Sequence, residues 1–342
     1  MIDREGRWID YLRISITDRC NLRCQYCMPE CGVENLPHDQ ILQYDEILRI
    51  AGVMARELGL AKIKVTGGEP LVRRDCPELI RQLKALPGIQ NVTLTTNGVE
   101  LARQMPQLAQ AGVDAINISL DTLDAAEFAH ITRRDRLPQV LEGIRAAQAF
   151  PQVLLKLNVV PIAEQDETLL ELAALAREYP IHVRFIEMMP IGYGKNFKTI
   201  NHQEMMPIGF GRKYRSRSEA ELVELLGQRF GPLTPVEGNY GNGPGHYYAV
   251  PGFQGRVGFI SAISHKFCDS CNRVRLTADG YLKTCLQYES GCDLREMLRT
   301  GCTDAQLCAA IREAILAKPA CHHFTEVNCP DAEHRAMSQI GG

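Results

Sequence analysis

Between residues 11 and 189 the chain repeats one pattern six times: a short β-branched and apolar run, then an amphipathic stretch. The runs are YLRISIT (11–17), KIKVTG (62–67), NVTLTTNG (91–98), AINISLD (115–121), VLLKLNVV (153–160) and HVRFIEM (182–188). Between them, DEILRIAGVMAREL (45–58), PELIRQLKAL (77–86) and TLLELAALAREY (168–179) carry the helical period, and each is stopped by Gly or Pro. Strand–helix alternation predicts an α/β fold with a parallel sheet. Six such units with right-handed crossovers predict a partial, open (β/α)6 TIM-like barrel. A barrel of this kind brings the C-terminal ends of its strands to one mouth, and the polar motifs of this chain sit at those ends.

Past the sixth run, EMMPIGYGKNFKTINHQ is followed at once by EMMPIGFGRKYRSRSE. Like-for-like changes, such as Tyr193 against Phe210 and Lys195 against Arg212, mark a tandem duplication over 187–220. Two copies are too few for a solenoid, so the second is expected to form an exposed loop. SEAELVELLGQRF (218–230) reads as a further helix, and a Gly- and Pro-rich stretch after Gly231 precedes the strand-like VGFISAI (257–263). The expected division is a core barrel over 1–231 and a C-terminal region over 232–342.

A length of 342 residues with 45% hydrophobic and 23% charged residues suits a globular protein that needs no disulfides to hold its core. A net charge of −3 gives no global field for a nucleic-acid polymer. The opening MIDREGRWID lacks the apolar core of a signal peptide, and no run approaches the roughly 18–20 apolar residues of a membrane span. A cytoplasmic protein with neither membrane nor nucleic-acid partner is therefore expected. In that reducing compartment thirteen cysteines point to metal binding rather than to disulfides.

Six of the thirteen form two tight trios. Cys20, Cys24 and Cys27 make a C-x3-C-x2-C motif in the loop after the first strand; Cys268, Cys271 and Cys285 make C-x2-C-x13-C near the other end. Three thiolates are one short of closing a four-iron cubane, so one iron in each would keep an open position. On spacing alone a zinc site stays open for either trio, with Cys31 near the first and His265 near the second as candidate fourth ligands. Cys31, Cys76, Cys292, Cys302, Cys308, Cys321 and Cys329 have no evident pairing and read as small buried hydrophobes. Arg273 and Arg275, two apart on a strand-like run, face one side and form a fork suited to phosphate.

The C-x3-C-x2-C motif after the first strand of a partial barrel resembles the radical S-adenosylmethionine (SAM) superfamily. Gly67-Gly68-Glu69-Pro70, at the end of the second strand, matches that superfamily's GGEP motif, and Ser119 on the fourth strand matches its SAM-contacting position. LRISITDRCNLRCQYCMP, KVTGGEPLVRRD, LTTNG, INISLDTL, RFIEMMPIG, FCDSCNRVRLTADG and the terminal Gly341 and Gly342 together resemble the GTP 3′,8-cyclase family over nearly the whole chain.

That resemblance implies a lyase that opens molybdenum cofactor biosynthesis by converting GTP to (8S)-3′,8-cyclo-7,8-dihydroguanosine 5′-triphosphate. A 5′-deoxyadenosyl radical would remove the C3′ hydrogen of GTP. It implies SAM and two [4Fe–4S] clusters: one on Cys20, Cys24 and Cys27 that binds SAM, one on Cys268, Cys271 and Cys285 that binds substrate. Tyr26, Gly68, Ser119 and Met189 would line SAM. Arg13, Lys64, Thr95, Lys156, Arg273 and Arg275 would hold GTP, and Gly341 and Gly342 would reach into the site. Taken singly, Arg13 or Lys156 reads as a solvated strand residue, Met189 as core, and the diglycine tail as a frayed terminus. Position 64 carries Lys where many relatives carry Arg, which keeps the charge but not the fork. Met206 in the second copy competes with Met189, which is preferred because it follows HVRFIE directly. An external electron donor and a downstream cyclic pyranopterin monophosphate synthase are the implied partners, with homodimerisation left open. Two rival readings are a peptide-modifying radical SAM maturase with an auxiliary cluster and a non-catalytic iron–sulfur protein.

Overall fold

The computed structural model describes residues 1–162, 165–197, 199–200, 204–205, 217–238, 240–324 and 332–341. The first half runs β1 (Tyr11–Ser15), α1 (Tyr44–Leu58), β2 (Lys62–Thr66), α2 (Cys76–Lys84), β3 (Asn91–Thr96), α3 (Leu101–Gln110), β4 (Ala115–Ser119), α4 (Ala125–Thr132), α5 (Leu137–Gln148), β5 (Leu154–Val159), α6 (Asp166–Glu178) and β6 (His182–Ile186). Strands β1 to β6 pair in chain order and in parallel, as the six-fold repeat predicts. Most of the expected strands run one or two residues past the observed C-terminal ends. Those residues, Gly67 and Asn97 among them, leave the ladder and turn into the loops of the mouth.

After β6 come the short antiparallel pair β7 (Thr199–Ile200) and β8 (Glu204–Met205), α7 (Glu219–Phe230), β9 (Thr234–Val236), β10 (His246–Ala249), β11 (Val257–Ile260) and β12 (Arg273–Leu276). The chain ends with β13 (Tyr281–Lys283), β14 (Gly291–Asp293), α8 (Leu294–Arg299), α9 (Asp304–Leu316) and α10 (Met337–Ile340). Among the described residues, strands β9 to β14 form no separate sheet. Strand β11 adds in parallel to β6 and β12 adds in parallel to β1, giving one 12-stranded sheet in the order β14-β13-β12-β1-β2-β3-β4-β5-β6-β11-β10-β9. Pairing β12 on β1 carries the second cysteine trio to the side of the first.

Period-two alternation sorts the strand side chains onto two faces. Leu12, Ile14, Ile63, Val65, Val92, Leu94, Ile116, Ile118, Leu155 and Leu157 belong to one buried apolar core shared with the helices. The residues between them, Arg13, Lys64, Thr93, Asn117 and Lys156, line the inside of the barrel. Lys156 is buried, contrary to its reading as a solvated strand residue when taken singly, and Lys64 is buried as well.

Most of the second copy of the duplication, including Met206, lies outside the described residues. Its end does not form an exposed loop. Arg217 is buried and donates through Nε to Asp166 at 2.9 Å, and Ser218 caps α7 in a reciprocal box with Glu221. Among the described residues no helix is long and apolar enough to cross a membrane.

Candidate functional site

A cavity of about 450 Å³ fills the barrel interior and opens at its mouth. Cys20, Cys24 and Cys27 line it, and so do Cys268, Cys271 and Cys285. The first trio sits in the loop after β1, where the amides of Cys27 and Met28 both donate to the Cys24 carbonyl, at 2.9 and 3.1 Å, and fold the motif into a tight turn. Burial raises all three thiols, Cys20 to about 11 and Cys27 to about 12. Such thiols need a cation to ionise, as an iron cluster provides. Cys271 behaves differently: burial pushes it up, but Arg273 and Lys318 outweigh that and bring it down to about 7. A hairpin from β12 to β13 returns the chain so that Cys285 rejoins Cys268 and Cys271.

Among the described residues no three His, Cys, Asp or Glu side chains converge as they would on a single metal ion. A lone zinc needs its sulfurs about 2.3 Å from one point, whereas a cubane spreads its thiolates over its corners. The candidate fourth ligands stand elsewhere. Cys31 is exposed, and the exposed His265 turns to Glu219, with Nδ1 3.5 Å from Oε2. Cys76 is buried; Cys292, Cys302 and Cys308 pack half-buried against the core. Cys321 lies 3.1 Å from His323 Nε2, and Cys329 falls outside the described residues.

The GGEP segment forms the seat beside the first trio. The Gly68 amide donates to Thr17 O at 2.6 Å and the Glu69 amide to Arg19 O at 2.8 Å. A Cβ on Gly68 would stand 2.4 Å from the Arg19 carbonyl oxygen, so glycine is required for this approach. Glu69 lines the cavity and is held in place by the protein. Its buried carboxylate accepts from Leu71 N at 3.0 Å, Thr96 Oγ1 at 2.7 Å and Asn97 N at 2.6 Å, and burial still raises it to about 7. It ties the ends of β2 and β3 together. Tyr26 donates from its hydroxyl to Asp121 Oδ2 at 2.7 Å, and Asp121 also accepts from Val160 N at 2.8 Å. Ser119 and Met189 line the cavity with Tyr26 and Gly68.

Deeper in, the register places Arg275, Arg13 and Lys64 side by side on β12, β1 and β2. Thr95, Asn117 and Lys156 form a second row on β3, β4 and β5. Like charges crowd these groups. Burial and then Arg184, Arg13 and Lys156 hold Lys64 well below its ordinary value, burial and Arg184 bring Lys156 to about 7, and burial, Arg13 and Arg273 depress Arg275. Arg273 stacks over Phe267, 4.9 Å from the ring centroid, and the buried Thr95 hydroxyl has no partner among the described residues. The arrangement is a buried cationic nest that a polyanion would neutralise. The Gly341 carbonyl accepts from Arg275 Nη1 at 2.6 Å, so the tail is docked, not frayed; Gly342 lies outside the described residues.

Arg184, Lys318 and Asp121 also line the cavity and are absent from the sequence-based assignment. Arg184 donates through Nη2 to Asn117 Oδ1 at 3.0 Å and Asn158 Oδ1 at 2.6 Å. Its phase on β6 matches that of Lys156 on β5, and the alternation of HVRFIE carries that signal. Nothing local marks Lys318.

The comparisons with known proteins agree along the chain. Residues 14–176 match the Radical SAM superfamily and residues 181–324 match Molybdenum Cofactor Synthesis C. The chain is 43% identical over 343 residues to a protein of Syntrophomonas wolfei named GTP 3′,8-cyclase, covering 100% of both chains. Proteins of the same name from Moorella thermoacetica and Clostridium perfringens are 43% and 39% identical, again over 100% of both chains. Among solved structures, Streptococcus suis SuiB bound to S-adenosylmethionine superposes with a TM-score of 0.56 at 16% identity, over 91% of this chain and 68% of SuiB, a likeness of fold alone.

Proposed function

The chain belongs to the GTP 3′,8-cyclase family of radical SAM enzymes, and from that premise we propose how its residues divide the reaction. The enzyme converts GTP to (8S)-3′,8-cyclo-7,8-dihydroguanosine 5′-triphosphate, the first step of molybdenum cofactor biosynthesis, and uses SAM and a [4Fe–4S] cluster. When bound, cluster and SAM supply the 5′-deoxyadenosyl radical that takes the C3′ hydrogen of GTP.

In this proposal Cys20, Cys24 and Cys27 hold the first cluster, and Tyr26, Gly68, Ser119 and Met189 seat SAM at the mouth. Asp121 orients the Tyr26 ring. Cys268, Cys271 and Cys285, in the 232–342 region, hold a second [4Fe–4S] cluster on the same cavity, facing the guanine. Arg13, Lys64, Lys156, Arg273 and Arg275 gather the triphosphate, with Thr95 beside it and Gly341 closing the site through Arg275; Gly342 is assigned to the site on the family resemblance. Arg184 joins this set on its register. The observation that carries the reading is the row of cations set side by side on β12, β1 and β2, Arg275, Arg13 and Lys64, where the strongest charge interactions of Arg275 and Lys64 are with other cations. A strongly anionic ligand offsets that repulsion while the groups stay charged, and a triphosphate is one. The barrel then places C3′ of GTP next to SAM and keeps water from the reacting atoms.

An external electron donor, a cytoplasmic location and hand-over to a cyclic pyranopterin monophosphate synthase complete the proposal. The test is anaerobic reconstitution followed by incubation with SAM, GTP and a reductant. Equal amounts of 5′-deoxyadenosine and cyclised nucleotide are expected, whereas 5′-deoxyadenosine without loss of GTP would return the peptide-modifying reading. Iron analysis should find about eight irons per chain for two four-iron clusters, and about four would remove one of them.

A further inference from the structure

Lys318 reaches the cavity from the turn after α9, distant in sequence from both trios. It is buried, and its ammonium donates to the carbonyls of Arg273 at 3.1 Å and Thr284 at 2.5 Å. Thr284 immediately precedes Cys285, and Arg273 lies two residues after Cys271. An ammonium has three N–H groups, and the side chain of Cys271 takes a further hydrogen bond from it beside the cavity that Cys271 and Cys285 line.

The backbone around Lys318 is held just as firmly. Arg7, buried near the N-terminus, donates through Nη1 to the carbonyls of Cys268 at 3.2 Å and Ala320 at 2.9 Å. Through Nη2 it donates to Lys318 O at 3.4 Å and Pro319 O at 2.8 Å, while its Nε is paired with Asp3 at 2.7 Å. One planar five-donor group thereby ties the turn carrying Cys268 to the turn carrying Lys318.

We infer that Lys318, positioned by Arg7, is an outer-shell residue of the second cluster that raises its reduction potential. The inference rests on the proposed assignment of that cluster to Cys268, Cys271 and Cys285. Reduction adds negative charge to a cluster, so a fixed cation beside its sulfurs stabilises the reduced form; charge and hydrogen bonds around the thiolates are the levers a protein has on this potential. Held by two carbonyls, the ammonium cannot swing to solvent, and its charge acts on the cluster whether or not nucleotide is present.

The experiment uses the full chain with Cys20, Cys24 and Cys27 replaced by alanine, reconstituted anaerobically, so that any cluster signal comes from the other trio. This background should hold about four irons. In a redox titration followed by electron paramagnetic resonance, K318M should shift the midpoint to more negative potential, and K318R, which keeps the charge, should stay near the parent. If K318M loses iron, K318Q, which keeps a hydrogen-bond donor without the charge, must show the same negative shift. An unchanged midpoint at full iron content would overturn the inference, even if the KM for GTP rose, because Lys318 would then serve the substrate only. A background without iron would overturn the second-cluster assignment itself, and this inference with it.

Discussion

Arg275 donates through Nη1 to the carbonyl of Gly341 at 2.6 Å, so the end of the chain rests on the cation row inside the barrel. Gly341 has a φ of +79°, and a Cβ there would stand 3.1 Å from Ser15 Cβ and 3.2 Å from Thr66 Cγ2. A side chain with Cβ branching meets both the left-handed backbone penalty, roughly 1–2 kcal/mol, and this contact. Gly341→Val is expected to undock the tail while the melting temperature of the barrel stays nearly constant. Limited proteolysis should trim the variant faster at its C-terminus; equal trimming rates would contradict the docking.

The tail has a second anchor in the fully buried pair of Glu333 with Lys283. Glu333 also accepts from Arg335 Nε at 3.0 Å, and although burial opposes ionisation, Arg335 and Lys283 hold the carboxyl down at about 2. Glu333→Gln leaves a buried ammonium facing a neutral amide, at a cost of about 3–5 kcal/mol. Thermal unfolding of the two proteins should show it. Because the folded value is depressed, the contribution is complete above the ordinary 4.5 and is lost as the pH falls toward about 2. The difference between the two proteins should therefore shrink on acidification below 4.5.

Lys156 titrates at about 7 because it is buried beside Arg184. The cost of burying its charge is complete below about 7 and is relieved as the pH climbs toward the ordinary 10.5, so stability gains with pH over that window. Nucleotide binding has the opposite sign, since a triphosphate requires the ammonium. The KM for GTP should rise as the pH passes about 7, by on the order of tenfold or more for one charge-assisted hydrogen bond lost. Lys156→Arg stays charged and should flatten the profile; the same slope in both proteins would remove Lys156 from phosphate binding.

Gly68 packs against the chain that leads into Cys20, and an added methyl would meet the Arg19 carbonyl oxygen at 2.4 Å. Gly68→Ala must displace that loop, at about 1–3 kcal/mol for an overpacked site. Iron content measured after reconstitution is expected to fall from about eight to about four per chain, with the Cys268 trio unaffected. Full retention of iron would mean that the loop adapts.

Among the strands and helices of the barrel, agreement between pattern and structure is close. HVRFIEM reads as a strand because Val183 and Phe185 alternate with Arg184, and β6 follows. The same alternation separates Leu12 and Ile14 from Arg13 and Leu155 and Leu157 from Lys156, so the two faces of each strand were legible. What the pattern does not say is whether the polar face meets water or a closed interior, and for Lys64 and Lys156 it is the interior. Glu69 is marked by its motif, but that it also accepts from Thr96 and Asn97 of the next unit is not legible there. Ser218 and Arg217 look like the end of a spare copy, yet they cap α7 and pair with Asp166.

The sequence by itself determined the βα repeat, the polar and apolar faces of its strands and the two cysteine trios, because each is written in residues a few positions apart and governed by local backbone geometry. Only the tertiary structure decided that the trios share one cavity, that Arg7 supports the turn of Lys318, and that Gly341 lies on Arg275. These relationships join segments from 66 to 311 residues apart, brought together around the pairing of β12 on β1, and no local period encodes which distant strand completes the edge of a sheet.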